Sequence, residues 1–310
     1  MHDLFMPSKD GDSMKVGFIG AGKMGFTFGK HLCLQSKLEL VGYYSRHLES
    51  AKAAAEFTDT KYYESLEELV FDADALFLTV PDGQISVMVE QLNRLGAVMD
   101  GKILIHTSGA LSSRVFSGIS YPIYGYSIHP IYAVNSKLTS YKHFGDCFIT
   151  MEGHAKYLEM FQSLFENLGH KTKVISAEDK TKYHSSAVFA SNLVVGLYQM
   201  ASELLSQCGF TQTEAKDALS TLFYNNAKNI LAYGTKKALT GPVARGDIET
   251  VSEHMKVLSG NYLNAYKAIS DCLIEIAKQQ KADEENTEVQ EIDVYGQLHS
   301  LFRINGRNAL

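Results

Sequence analysis

The chain has 310 residues, of which 45% are hydrophobic and 21% are charged, as expected for a globular protein with room for two domains. Its net charge of -6 gives no electrostatic basis for binding nucleic acid. We therefore expect no nucleic-acid partner. No apolar run approaches the ~20 residues of a membrane span, so we expect no membrane partner either.

Residues 1–13 lack the apolar core of a signal peptide. We interpret them as a flexible N-terminal extension before Met14. The four cysteines are far apart and form no C-x-x-C pair, so we expect no metal site and no redox pair. Reduced thiols and the absence of a targeting signal favour a cytoplasmic location.

A glycine-rich segment follows the first predicted strand, the apolar run at residues 16–19. Gly20, Gly22 and Gly25 have G-x-G-x-x-G spacing, and residues 26–32 continue as a helix. In this pattern the first glycine makes a tight turn, the second lets the backbone approach a pyrophosphate, and the third lets helix and strand pack closely. The segment therefore predicts a dinucleotide-binding loop, formed by Gly20, Ala21, Gly22, Lys23, Met24 and Gly25.

Strands and helices alternate over the next 140 or so residues. Strands are predicted at residues 38–44, 75–80, 102–106, 124–128, 147–150 and 171–175. Helices are predicted at residues 48–57, from Ser65 with a capping box to Glu68, and at residues 83–95 and 154–168. This alternation predicts an α/β domain over residues 14–176, with a doubly wound parallel sheet and right-handed crossovers.

From residue 177 onward we predict helices alone. Residues 180–207 are apolar around most of the helix circumference, which predicts one long buried helix. Thr211 and Glu214 form a capping box that opens the next helix, to about residue 231. Further helices are predicted at residues 247–258 and 261–280 and near the end of the chain, with a Gly/Pro-rich loop at 240–246 and a charged stretch at 281–288. Residues 177–310 are therefore predicted to form an all-helical domain.

The end of the second strand indicates which dinucleotide the loop prefers. The NAD version of this arrangement has an acidic residue about 20 positions after the glycines, where it binds the ribose hydroxyls. Here Ser45 and Arg46 stand at that place instead. They could bind a 2′-phosphate, with Arg46 making charge-assisted hydrogen bonds, whereas the alternative is an arginine that merely faces solvent. We predict NADP as the cofactor.

Three loops after later strands complete the predicted cofactor and substrate site, because ligands of parallel sheets bind beyond the carboxyl ends of the strands. Val80 and Pro81 follow one strand, and Ser108 follows the next. Pro81 stops its strand and could place the backbone beside the nicotinamide ribose. These three residues are predicted to contact the cofactor.

His129 lies in the third of these loops and is held extended by Pro130. A histidine can donate a proton near neutral pH, as the reduction of a carbonyl or imine requires. We therefore predict a catalytic role for His129, and His106 is a weaker candidate. For each of them the alternative is a hydrogen-bonded structural histidine.

Polar residues in the helical half supply the remaining candidates. His184 and Asn192 interrupt an apolar helix, so they either hydrogen-bond within the fold or line a ligand cavity. Arg245 lies in a loop with two glycines and a proline, where a guanidinium suits a carboxylate or phosphate of a small substrate. The alternative is a local salt bridge, for which Asp247, a predicted helix N-cap, is the nearest partner.

The glycine loop and the segments YHSSAVFASN (residues 183–192) and LTGPVARGD (residues 239–247) resemble Rossmann-like proteins with a C-terminal domain of unknown function 2520. Those proteins are related to NADP oxidoreductases of the deazaflavin-coenzyme-dependent type. The chain is distantly similar to pyrroline-5-carboxylate reductases, ketopantoate reductases and β-hydroxyacid dehydrogenases. The resemblance implies a helical domain like that of 6-phosphogluconate dehydrogenase and a homodimer formed through it.

The chain departs from the β-hydroxyacid dehydrogenases, because Val188 stands where their catalytic lysine would precede Asn192 by four residues. We therefore do not expect their chemistry. The predicted function is an NADP(H)-dependent oxidoreductase that reduces a small polar carbonyl or imine by hydride transfer, with His129 or His184 donating the proton. The alternative is a non-catalytic NADP(H)-binding sensor or regulatory protein.

Overall fold

The computed structural model describes residues 13–34, 38–284 and 293–304. The predicted extension therefore lies outside the described residues except for its last position. The second half of the charged stretch at 281–288, residues 285–288, lies outside them as well. The chain divides into two compact units, Met1–Ser191 and Asn192–Leu310. The helix at residues 180–190 thus belongs to the first unit. The predicted division after residue 176 instead marks the point where the strands end and helices alone follow.

The first unit contains all the strands of the described residues. The strands are β1 (Met14–Ile19), β2 (Leu38–Tyr44), β3 (Lys61–Tyr63), β4 (Ala75–Leu78), β5 (Ile103–His106), β6 (Tyr124–Ile131), β7 (Phe148–Gly153) and β8 (Lys171–Val174). The helices are α1 (Lys23–Leu32), α2 (Leu48–Thr58), α3 (Leu66–Asp72), α4 (Asp82–Arg94), α5 (Ala155–Asn167) and α6 (Lys180–Ala190). Short 3-10 helices cover Gly96–Met99, Ser113–Gly118 and Ser140–Asp146.

The strands form one sheet in the order β3-β2-β1-β4-β5-β6-β7-β8. The strand order reverses direction between β1 and β4, so a crevice opens there beyond the carboxyl ends of the strands. The predicted doubly wound sheet is confirmed, with one correction: β6 and β7 pair antiparallel. The chain between them forms only a 3-10 helix, whereas parallel neighbours are usually joined by an α-helical crossover.

Alternating side chains of the central strands fill two apolar layers. Phe18 and Phe77 pack with the aromatic residues of α1 and α5 on one face, whereas Leu76 and Leu78 pack with α3 and α4 on the other. Strands covered on both faces have the continuous apolar sequences that predicted them. One helix start differs from expectation, because the Ser65 side chain makes no capping hydrogen bond at α3.

The second unit is helical throughout its described residues. Its helices are α7 (Asn192–Gln207), α8 (Gln212–Ala238), α9 (Pro242–Arg245), α10 (Ile248–Val257), α11 (Gly260–Glu284) and α12 (Val294–Ile304). The capping box of Thr211 and Glu214 is present at α8, and Asp247 caps α10 by accepting from the Thr250 amide at 3.0 Å. Helix α8 runs past the predicted end at residue 231, across a non-helical Gly234. The core of this unit lies among α9 to α12.

The predicted long buried helix at residues 180–207 is wrong in two respects. Ser191 has φ -128° and ψ -79°, which breaks it into α6 and α7, and α7 buries no residue within the single chain. By length and composition alone this stretch, with a mean hydropathy of 1.2, could cross a membrane, so the expectation that no run is long enough is corrected. An apolar helix that packs against another protein surface meets the same criterion.

Candidate active site

The glycine loop between β1 and α1 has the geometry that a pyrophosphate requires. Gly20 has φ +109°, and a β-carbon there would lie 2.8 Å from the Thr79 carbonyl oxygen. A β-carbon on Gly25 would lie 2.4 Å from the Gly20 carbonyl oxygen, so helix and turn touch at this point. At Gly22, by contrast, the nearest atom to an added β-carbon is 3.9 Å away. Gly22 therefore faces open space, and the loop fits a bound dinucleotide.

The first turn of α1 leaves its amide groups available to an anion. Gly22 is the N-cap and supplies no side-chain hydrogen bond, and no acidic residue lies in the first turn. Ala21 is buried, Lys23 is exposed and Met24 is half-buried. Free amides and the helix dipole favour negative charge here. Thr79 was not predicted; its hydroxyl donates to the Gly20 carbonyl at 2.7 Å and fixes the turn.

The residues predicted to select the cofactor lie at the end of β2. Ser45 is half-buried and Arg46 is exposed, immediately after the strand that pairs with β1. In this fold the ribose of the adenosine half binds at that place. Arg46 therefore has the position and the freedom to meet a 2′-phosphate, and its role stays a prediction.

The loops after β4 and β5 are tied together. Pro81 is the N-cap of α4, and the Ser108 hydroxyl donates to Asp82 Oδ2 at 2.8 Å. The same hydroxyl accepts from the Leu111 amide at 3.0 Å. Val80 is half-buried and Pro81 is exposed. Ser108 thus ties the loop after β5 to the start of α4. Its contact with the cofactor stays a prediction.

His129 lies within a strand and not, as predicted, in a loop. The antiparallel partner β7 extends β6 to Ile131 and sets His129 opposite Thr150. On the other side of β6, the parallel pairing with β5 ends two positions before His129, where Ser127 lies opposite His106, the last residue of β5. His129 therefore extends beyond the carboxyl end of β5, at the edge where ligands bind.

Two predicted catalytic residues, His129 and His184, meet beside Gly109. Their ring centroids are 6.2 Å apart. A β-carbon on Gly109 would lie 2.5 Å from His184 Nδ1 and 2.8 Å from His129 Nε2, so only glycine permits this approach. His129 Nδ1 is hydrogen-bonded to the Tyr183 hydroxyl at 2.6 Å, which fixes the ring. Tyr183 was not predicted as a site residue.

A buried lysine next to this pair was also missed. Lys180 is 1% exposed, and its Nζ donates to the Ser127 hydroxyl at 2.6 Å. Glu152, itself buried, lies opposite Ser127 on β7 and accepts from the Ser113 amide and hydroxyl. In the sequence, Lys180 looks like a solvated first-turn residue, since only the tertiary fold buries it.

Burial and charge together set the protonation of the cluster. Burial lowers the pKa of His129 to about 3, with a further contribution from the Lys180 ammonium, and burial lowers the pKa of His106 to about 4. Burial also lowers the pKa of Lys180 to about 8, against the opposing effect of Glu152. At neutral pH His129 is therefore a neutral hydrogen-bonding group, whereas Lys180 carries the ionisable proton. This revises the imidazolium role that the sequence favoured.

The other two predicted catalytic residues belong to the second unit. Asn192 is the first residue of α7, and Arg245 is the last residue of α9. Arg245 forms an ion pair with Asp247 at 3.9 Å and its side chain is 66% exposed, so the local partner considered above is present. A long, exposed pair of this kind stabilises little. The catalytic assignment of Asn192 and the anion-binding assignment of Arg245 stay predictions.

No cluster of three potential metal ligands occurs within the described ranges.

Comparison with known protein families identifies both halves of the chain. Residues 7–130 match a Rossmann-like domain, and residues 147–272 match the domain of unknown function 2520. The chain therefore contains a Rossmann-like domain followed by a domain of that second family, and the resemblance inferred from its motifs is confirmed. No curated protein matches the chain significantly.

Solved structures with the same fold span most of the chain. Protein TM1727 from Thermotoga maritima is 27% identical, with a TM-score of 0.69 over 86% of this chain and 99% of its own. A Bacteroides fragilis protein provisionally described as an NADP oxidoreductase is 22% identical, with a TM-score of 0.62 over 85% and 98%. The 1-pyrroline-5-carboxylate reductase of Streptococcus pyogenes is 16% identical, with a TM-score of 0.56 over 87% and 99%.

Proposed function

We propose that the protein is an NADP(H)-dependent oxidoreductase that reduces a small polar carbonyl or imine compound. One observation carries the proposal: the open glycine loop and the cluster of His129, Tyr183 and Lys180 lie along the same edge of one sheet. The cofactor would supply the hydride. The names of several proteins of this fold, among them pyrroline-5-carboxylate reductases, support this class of reaction.

The residues have separate roles in this proposal. The amides of the α1 N-terminus bind the pyrophosphate, and Arg46 binds the 2′-phosphate. Tyr183 orients His129 through their hydrogen bond, and the neutral ring positions the substrate oxygen or nitrogen. Lys180, whose Nζ donates to the Ser127 hydroxyl, is protonated at neutral pH and would supply the proton that the reduced oxygen or nitrogen takes up.

A screen of small carbonyl and imine compounds, read as loss of NADPH absorbance, tests the activity. Compounds with a carboxylate, including 1-pyrroline-5-carboxylate, belong in the first set because Arg245 suits an anion. For a compound that is turned over, His129→Ala should lower kcat at least ten-fold and leave the Kd for NADPH unchanged. An unchanged kcat would remove His129 from the site. If the protein binds NADPH but turns over no compound, a sensor or regulatory protein is the better account.

Cofactor selectivity gives the next prediction. Arg46→Asp should weaken NADPH binding at least ten-fold and leave NADH binding equal or improved, because the carboxylate repels a 2′-phosphate and accepts from ribose hydroxyls. Arg46→Lys, which keeps the charge but loses the bidentate geometry, should fall between. Calorimetric titration of both cofactors measures this. Equal affinities of the unmodified protein for NADPH and NADH would contradict the proposed preference.

We also propose a homodimer formed through the second unit. Large apolar side chains on α7 and α8 are exposed in the single chain, including Val195 at 71% and Leu231 at 88%. An open apolar groove of about 290 Å³ lies between α7 and α11. Apolar surface of this extent is typical of an interface. A second copy would cover it and account for the unburied apolar stretch at residues 180–207.

Substitution of this surface tests the dimer. Leu222→Glu combined with Leu231→Glu should convert a dimer to a monomer in light scattering, because two charges would enter an apolar contact. Phe71→Glu on α3 is the matched control, since Phe71 is 76% exposed in the first unit, and it should leave the mass unchanged. A monomeric unmodified protein would contradict the proposal.

A further inference from the structure

Lys180 is buried to a degree that is unusual for a lysine. Its side chain lies at the start of α6 with 1% exposure, donates to Ser127 at 2.6 Å, and has its Nζ 5.4 Å from the centre of the Tyr183 ring. The carboxylates of Glu152 and Asp82 act on it through space. The fold therefore keeps one positive charge inside the first unit.

This charge lies on the side of the sheet where the nicotinamide half of a dinucleotide would bind. The pyrophosphate belongs at the N-terminus of α1, after β1, and the adenosine ribose belongs at the end of β2. The other half of the molecule must then extend in the opposite direction, over β4 and β5. Ser127, the partner of Lys180, lies beside His106 at the end of β5.

Lys180 is also the group of this cluster whose charge changes just above neutral pH. Its pKa is lowered to about 8 by burial. Burial lowers the pKa values of His106 and His129, so both rings are neutral at pH 7 and above. Burial raises the pKa of Tyr183, which keeps its proton. The carboxylates of Glu152 and Asp82 complete the set of groups whose charge acts on Lys180.

We propose that the Lys180 ammonium makes this site select the reduced form of the cofactor, NADPH, over NADP⁺. The oxidised nicotinamide ring carries a positive charge and the reduced ring is neutral, so a cation nearby in a poorly solvated site penalises the oxidised form alone. At the effective dielectric of protein sites, such a penalty is on the order of ten-fold in affinity. The inference rests on the proposed function and deepens it, because a protein that loads NADPH in the presence of both forms is suited to reduction.

The test compares the Kd values of NADPH and NADP⁺ by calorimetry at pH 7.0 and pH 9.5. The ratio of the two values cancels every effect on the phosphates and the adenosine half, which both forms share. In the unmodified protein the preference for NADPH should be at least ten-fold larger at pH 7.0 than at pH 9.5. This comparison needs no variant, so it stands even where a substitution impairs folding.

Two variants assign the effect to Lys180. Lys180→Met should show, at both pH values, the small preference for NADPH that the unmodified protein shows at pH 9.5. Lys180→Arg, which stays charged, should keep at pH 9.5 the large preference that the unmodified protein shows at pH 7.0. Thermal melting verifies that each variant is folded. A pH-independent preference in the unmodified protein, or an unchanged preference in folded Lys180→Met, would overturn this inference and leave the proposed function intact. If neither form binds, the proposed function fails, and this inference with it.

Discussion

Gly22→Asp should abolish detectable dinucleotide binding, weakening it at least 100-fold, and should not destabilise the protein. The Gly22 backbone is extended, with φ -82° and ψ -172°, which any residue can adopt. The space around it is open, so an aspartate fits. Its carboxylate would occupy the place of the pyrophosphate and repel it. As an N-cap, aspartate should stabilise α1 slightly relative to glycine, by roughly a few tenths of a kcal/mol.

Gly22→Ala is the matched control, because it adds bulk without charge and should weaken binding less. Fluorescence titration with NADPH and thermal melting together separate the two effects. The prediction requires affinity and stability to move in opposite directions in Gly22→Asp. Retained binding would mean that the loop does not hold the phosphates, and a strongly lowered melting temperature would mean that the turn is structurally intolerant.

Acid should destabilise the first unit strongly between pH 7 and pH 5. Burial lowers the pKa of His31 to about 4, with a further contribution from His170, and burial lowers that of His106 to about 4. Unfolded histidines have a pKa near 6.5. The unfolded chain therefore binds more protons below pH 6.5, and stability that is fully present above that pH is lost as the pH falls toward 4. The loss at pH 5 is ~2 kcal/mol for each histidine.

The His31–His170 pair allows part of the loss of stability at low pH to be assigned to a single histidine. The two Nε2 atoms are 2.8 Å apart, and His170 Nδ1 lies 3.0 Å from the Cys147 carbonyl oxygen. In urea titrations at pH 7 and pH 5, His31→Leu should reduce the loss in unfolding free energy by ~2 kcal/mol. His143→Leu, at an exposed position, should leave the loss unchanged. Equal stability of the unmodified protein at both pH values would contradict the account.

Periodicity and turn chemistry predicted much of the fold because they are local properties. The glycine loop, the strands with continuous apolar sequences and the capping box at Thr211 all appear as expected. The short strand β3 was missed, since its three residues carry no periodic signal. The antiparallel pairing of β7 was missed as well, because it depends on how the chain between residues 131 and 148 folds.

In the candidate site, too, local sequence predicted some features, and others depend on the folded chain. His129 was found from its neighbour Pro130, but its place within a strand depends on pairing with β7. Lys180 and Tyr183 gave no local signal, because burial of a lysine and a hydrogen bond between residues 54 positions apart arise only in the folded chain. The exposure of α7 could not be predicted either, since an apolar sequence does not reveal which surface will cover it.

The central claim, that the glycine loop binds NADP(H), is tested most directly by titrating the unmodified protein with NADPH and following the nicotinamide fluorescence. The account predicts saturable binding of one NADPH per chain with a Kd in the micromolar range, the range in which enzymes commonly bind their substrates, and weaker binding of NADH. The absence of saturable binding of NADPH at millimolar concentration would contradict it.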